Sequence, residues 1–154
     1  MTDASLSAAN QVSTTERPLD RATITRLVDR FYADIRADAL LGPVFEPPLQ
    51  GRWDAHLARM VDFWCTACKI ERSFRGDVYK KHMALPRMAP AHLARWLQLW
   101  RQHTEALCTP TQAEHLQDVA IGVARVMHLG WFGHLPSRDE LLALVEAQGE
   151  FAAA

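Results

Sequence analysis

Tyr79-Lys80-Lys81-His82-Met83-Ala84-Leu85-Pro86 is a short segment that ends at a proline and stands between long helical stretches rich in tryptophan. Taken alone, His82 has two readings. A lone histidine on an apolar helix face is commonly a core residue whose ring nitrogens are satisfied by its neighbours. The same imidazole pointed into an apolar cavity between helices is a metal ligand. The residues on either side of the segment have to decide between them.

Immediately upstream, residues 71–78 (ERSFRGDV) lose the apolar period and contain Arg75-Gly76-Asp77, which predicts a loop leading into a helix of a turn or two around His82. Before that loop, Trp53, Leu57, Met60, Trp64 and Ala67 recur at helical spacing and predict a helix reaching about residue 70. His56 is carried inward or nearly so, and Phe63 flanks the stripe. Further back, Leu27, Val28, Phe31, Tyr32 and Ile35 predict a first helix over about 20–38, which Gly42-Pro43 is expected to stop. Downstream, Leu93, Trp96, Leu97, Trp100 and Leu107 mark a third long helix after Pro90. Thr109-Pro110 reads as the cap and first turn of a fourth, running to about 132. Ser137 with Glu140 reads as a capping box for a short helix near 138–148. No segment alternates as a strand does, and no repeat is seen, so the expected class is all-α.

A chain of 154 residues is about one domain, long enough to bury a core and still hold an internal pocket. With 17 Lys+Arg against 18 Asp+Glu, the positive field of a nucleic-acid binder is missing. No stretch approaches the roughly 18 apolar residues of a membrane span, and the N-terminus lacks a basic start followed by an apolar run. The expectation is a soluble, cytoplasmic protein. Three cysteines are an odd number and too few to staple a domain of this size, so the thiols are expected to be reduced. Residues 1–17, rich in Ser, Thr and Ala, are expected to be a flexible tail, residues 18–134 the folded domain and residues 135–154 a C-terminal extension.

Four groups of residues then stand in order: Phe31-Tyr32 with Leu41-Gly42-Pro43-Val44-Phe45; Trp53-Asp54-Ala55-His56-Leu57 with Phe63-Trp64; Tyr79-Lys80-Lys81-His82 with Leu85-Pro86; and Arg95-Trp96-Leu97. In this order and near this spacing they resemble the truncated haemoglobins. Groups I and II of that family usually carry paired glycines around the second helix; this chain has no Gly-Gly, and the pattern resembles group III. The resemblance covers about residues 19–134. The N-terminal tail and everything beyond His134 depart from it.

What the resemblance implies is a two-over-two helical sandwich around one non-covalent haem b, with His82 as the proximal iron ligand. Tyr32 and Trp96 would be distal hydrogen-bond donors, and His56 would match the distal histidine and gate ligand access. Phe45 would wedge against the porphyrin, with Met60, Phe63 and Leu85 lining the pocket. Lys81, Arg87 and Arg59 are propionate candidates on charge alone. The implied activity is binding of dioxygen and other diatomics, nitric oxide and carbon monoxide among them, with redox chemistry on the held ligand: nitric oxide dioxygenation or peroxide reduction. No flavin or nicotinamide domain is seen, so a separate reductase is implied.

Other readings stay open on the sequence. A non-enzymatic oxygen carrier, gas sensor or buffer would need no donor, and a haem-free helical interaction protein would explain the tryptophans as packing. Cys65-Thr66-Ala67-Cys68 looks like a dithiol oxidoreductase motif, but it lies late in a helix, away from the N-terminal dipole that lowers a thiol pKa. Trp53, Trp64, Trp100 and Trp131 read as structural, and His92, His103, His115, His128 and His134 as ordinary.

Overall fold

Seven helices follow one another in the computed structural model, which describes residues 17–152, with side chains through 148. They are α1 (Arg21–Ala37), α2 (Gly42–Leu49), α3 (Trp53–Ala67), α4 (Val78–Met83), α5 (Pro90–Leu107), α6 (Pro110–Phe132) and α7 (Arg138–Ala152). The expected tail falls, except for Arg17, outside the described residues. The described part is all-helical, as the periodicity predicts.

Local chemistry sets most of the boundaries. The Asp20 carboxylate caps α1 by accepting from the Thr23 amide at 2.9 Å. Thr109 and Gln112 form a reciprocal capping box at the start of α6, with bonds of 3.1 and 3.2 Å, and Gly133 in the left-handed conformation closes that helix. At α7 only half of the expected box is made. Ser137 Oγ accepts from the Glu140 amide at 3.1 Å, but the Glu140 carboxylate turns instead to His134 Nε2 at 3.0 Å.

One expectation fails. Gly42-Pro43 does not simply end the first helix but opens α2, with proline in its first turn. The helix was hidden because Pro47 and Pro48 lie within it and cannot donate to the ladder. Its support comes from Asp38 instead. One oxygen of that carboxylate accepts from the Leu40 and Leu41 amides at 3.1 and 3.0 Å, and the other from Arg95 Nε of α5 at 2.7 Å. The corner is tight enough that a Cβ on Gly42 would stand 2.8 Å from the Arg36 carbonyl oxygen.

Packing follows from the apolar stripes. α1 lies against α3 and α5, α5 against α6, and α4 against α6, so two helix pairs, α1 with α3 and α5 with α6, join through α1 and α5. Phe31, Trp64 and Trp100 are fully buried where they meet, with the two indoles stacked at 4.1 Å and Phe31 edge-on to Trp100 at 4.9 Å. The segment after 134 is no loose appendage: Leu141 and Val145 of α7 are buried in the same core, and α7 packs against α5 and α6.

Asp38 supplies the checkable consequence. Its burial raises the carboxyl pKa, but the bonds from Arg95, Leu41 and Leu40 more than reverse this and hold it below the usual range. Asp38→Ala is expected to destabilise the protein by about 3 kcal/mol through loss of charge-assisted bonds that hold the α1–α2 corner. The change is read from urea denaturation midpoints.

Candidate functional site

α4 is six residues long and has no buried residue of its own, so its position is imposed from outside. The Asp77 carboxylate caps it, accepting from the Lys80 amide at 2.9 Å. Trp131 of α6 donates its indole N–H to the His82 carbonyl at 3.1 Å. Tyr79 and Met83 seat on Gly130 of α6, where a Cβ would collide with the Met83 sulfur and stand 2.6 Å from the Tyr79 hydroxyl oxygen. Gly130 therefore sets how closely the two helices approach.

The His82 ring follows from this placement. Its Nδ1 is 2.7 Å from the Val78 carbonyl oxygen, one turn back. A carbonyl can only accept, so Nδ1 carries the proton and Nε2 keeps its lone pair. Burial lowers the His82 pKa, with the Val78 bond opposing, so burial favours the neutral ring. A neutral imidazole with one nitrogen anchored and the other free is the state that ligates a metal.

His82 lies on the wall of a cavity of about 450 Å³. His56, Phe45, Met60 and Leu85 share that wall, with Lys81 and Arg59 among its charged members. All seven were singled out in the sequence, and folding brings them together. Tyr32 stands one layer behind: its ring is edge-on to His56 at 5.2 Å and to Phe45 at 6.1 Å, and burial pushes its phenol pKa upward. Three further expected residues do not line the cavity. Phe63 packs on Phe74, which does, at 5.4 Å. Trp96 packs against Phe31 at 6.0 Å and parallel to Trp100 at 6.3 Å. Arg87 is exposed beyond the end of α4, with a φ of 60°.

His56 is unusual among the described residues, because its Nε2 is the buried side-chain nitrogen or oxygen without a hydrogen-bond partner. Tyr32 and Trp53 crowd it edge-on at 5.2 and 5.9 Å. Leaving such an atom unpaired costs about 1–3 kcal/mol, a cost that a polar ligand in reach would offset. Burial, helped by the charges of His82, Lys81 and Arg59, lowers the His56 pKa to about 4.

The sequence reading missed the wall that α2 supplies: Val44, Pro48 and Leu49, together with Arg52 just after it. Pro43 at the first turn of a helix was the available signal, read instead as the stop of the first helix. It also missed Phe74, placed in a loop, where Arg59 sits over its ring at 5.1 Å and donates to the Arg75 carbonyl at 3.1 Å.

The arrangement can hold a flat, mostly apolar group with an acidic edge. It supplies one imidazole with a free nitrogen, apolar walls, and the cations Arg52, Arg59 and Lys81, which could pair with carboxylates. It does not favour dithiol chemistry, since burial raises the pKa of both thiols, that of Cys68 to about 11. No group of three or more His, Cys, Asp or Glu among the described residues could hold a bare metal ion. No helix among them is long and apolar enough to cross a membrane.

Comparison with known proteins agrees with the fold. The group 3 truncated hemoglobin ctb of Campylobacter jejuni is 29% identical over 87 residues, covering 54% of this chain and 68% of that protein. The crystal structure of the group III truncated hemoglobin from Campylobacter jejuni superposes with a TM-score of 0.71 at 22% identity, over 77% of this chain and 96% of the other. No protein-family model matches the chain. The chain has the truncated-globin fold, and its resemblance to group III holds in sequence and in architecture.

The two histidines carry a pH signature. A histidine whose folded pKa lies below the unfolded value binds its proton more readily when unfolded. The protein is therefore at full strength above about pH 6.5, and this contribution is lost as pH falls toward 4. The ligand-free protein should show urea midpoints that drop over this window, with a shallower drop in His56→Leu. Equal slopes in the two proteins would mean that His56 titrates as it does in the unfolded chain.

Proposed function

We propose that this chain, with its truncated-globin fold and its resemblance to group III, binds one haem b non-covalently through His82 and works on a diatomic gas or peroxide held beside it. The observation that carries this reading is the fixed His82 tautomer: Nδ1–H committed to Val78, Nε2 left free on the wall of an apolar cavity. The chain has no Cys-x-x-Cys-His with which to attach the group covalently, since Lys69 follows Cys68.

A bound haem supplies reversible binding of dioxygen, nitric oxide or carbon monoxide and electron transfer to them. The protein's residues do the rest. His82 would hold the cofactor through its free Nε2, and its bond to Val78 sets the ring's orientation and its basicity. Phe45, Met60 and Leu85 of the cavity wall would exclude water from the group, while Arg52, Arg59 and Lys81 would pair with its carboxylates. Elsewhere on the site, His56 and Tyr32 are the groups that could pair with a polar ligand. His56 reaches the cavity wall directly, and Tyr32 braces it from behind. A hydrogen bond from either to a partly negative ligand slows ligand release, which suits chemistry on a held molecule better than rapid delivery. Nitric oxide dioxygenation and peroxide reduction are the reactions this favours, each drawing electrons from a separate reductase. Trp96, set back in the indole stack, supports Phe31 and through it Tyr32.

Absorption spectroscopy tests the reading. Protein supplied with haem should show a strong Soret band that shifts with carbon monoxide, and His82→Ala should lose or weaken it. A protein without a band after haem is supplied would return the chain to the haem-free interaction reading. Tyr32→Phe should speed dioxygen dissociation about tenfold, the loss of one hydrogen bond of about 1.4 kcal/mol, as followed by stopped-flow. His56→Leu should change ligand association more than release if His56 gates the cavity.

A further inference from the structure

The net charge of −1 conceals a strong asymmetry. Residues 50–88, which run from the start of α3 through α4, carry eight Lys+Arg against four Asp+Glu, whereas the rest of the chain carries nine against fourteen. All eight of those cations are exposed, and none is in an ion pair among the described residues. The acids of the same stretch are largely occupied. Arg21 of α1 takes Asp62 and Glu71 at 2.7 and 2.6 Å, and Asp77 caps α4. Arg52 and Arg59 donate to the backbone carbonyls of Pro48 and Arg75, bonds that leave their charge uncompensated.

The positive surface and the cavity overlap: three of the eight cations line the cavity, against one acid, Asp77, which is engaged in capping α4. Arg52, Arg59 and Lys81 line the cavity, Lys80 adjoins Lys81 on α4, and Arg75 is held to Arg59 through its carbonyl. We propose that this rim is the docking surface for an acidic electron-transfer protein, which reduces a cofactor bound in the cavity. This rests on the haem reading above. The two carboxylates of a haem would neutralise at most two of the cations, so Arg75 and Lys80, next to the lining residues Arg59 and Lys81, still present positive charge there. Electron transfer weakens steeply with distance, and the rim is where a group in the cavity comes nearest to solvent. An acidic partner steered there arrives at the productive place.

The rest of the chain argues against an extended polyanion. Its excess of five negative charges repels a nucleic acid or an anionic membrane over any contact wider than the rim. A compact protein with a local acidic patch feels the rim alone. Each encounter passes one electron: the flavin or iron–sulfur centre of the donor loses it, ferric iron becomes ferrous, and no bond or proton need move.

Reduced flavodoxin, an acidic flavoprotein, is a suitable probe, mixed in a stopped-flow instrument with the ferric haem-loaded protein. The reduction rate should fall about tenfold between low and high salt, as steering by opposite charges requires. Arg75→Glu with Lys80→Glu should slow it about tenfold at low salt, while Arg26→Glu with Arg30→Glu, an equal charge change on α1, should leave it within about twofold. An unchanged Soret band and carbon monoxide association rate in both double variants establish that fold and cofactor are intact. A rate indifferent to salt, or slowed equally by both pairs, overturns the docking surface while the haem reading stands. Failure to load haem at all removes both. Sedimentation with phosphatidylglycerol vesicles is the parallel arm: binding lost in Arg75→Glu with Lys80→Glu, beside a flavodoxin rate that ignores it, would make the rim a membrane surface instead and end the proposal.

Discussion

The bond from His82 Nδ1–H to the Val78 carbonyl, 2.7 Å long, is the constraint on which the rest of this structure depends. It converts an ambidentate ring into one with a single free nitrogen, and it does so within one helical turn. Yet α4 buries no residue of its own and is only six residues long. A helix of that length does not hold itself together in water. Its geometry is borrowed from α6, through the Trp131 indole on the His82 carbonyl and the seat at Gly130. α6 is in turn fixed by its capping box, by Trp100 donating to the Leu116 carbonyl at 3.1 Å, and by α7.

The other wall of the cavity is built by a different device. α2 contains three prolines, two of them in its interior, and would not be stable as an isolated helix; one half-buried carboxylate, Asp38, holds its entrance and ties it to α5 through Arg95. Behind that wall, aromatic rings carry position inward to outward: the Trp64–Trp100 stack fixes Phe31, and Phe31 and Tyr32 pack edge-on at 5.1 Å. Each such contact contributes about 0.5–1.5 kcal/mol beyond the area it buries. Their combined effect is to make the ring that backs His56 rigid. A polar atom can stay buried and unpaired at His56 Nε2 because this frame leaves the imidazole nowhere else to turn.

Charge is arranged with similar economy. Arg21 reaches from α1 to take two acids of the α3 end, which leaves the cavity rim positive in a chain that is almost neutral as a whole. The near-neutral total gives no sign of a local surface that only position along the chain reveals.

Most of the fold was legible in the sequence. Apolar spacing at three and four residues marked α1, α3, α5 and α6, and Thr109-Pro110 and Ser137 marked two starts, because helix periodicity and capping are local. His82 and His56 were legible as a pair through the order of the motifs around them. What only the tertiary structure decided is which of the singled-out residues meet. Phe63, Trp96 and Arg87 sit away from the cavity wall while Val44, Leu49 and Arg52 come onto it. α2 depends on a carboxylate bond from a residue outside the helix, and C-terminal α7 proved part of the core through Leu141 and Val145. The reason is the same in each case: a helix's own residues determine that it forms, but the direction in which it faces is set by the neighbours that bury its apolar side.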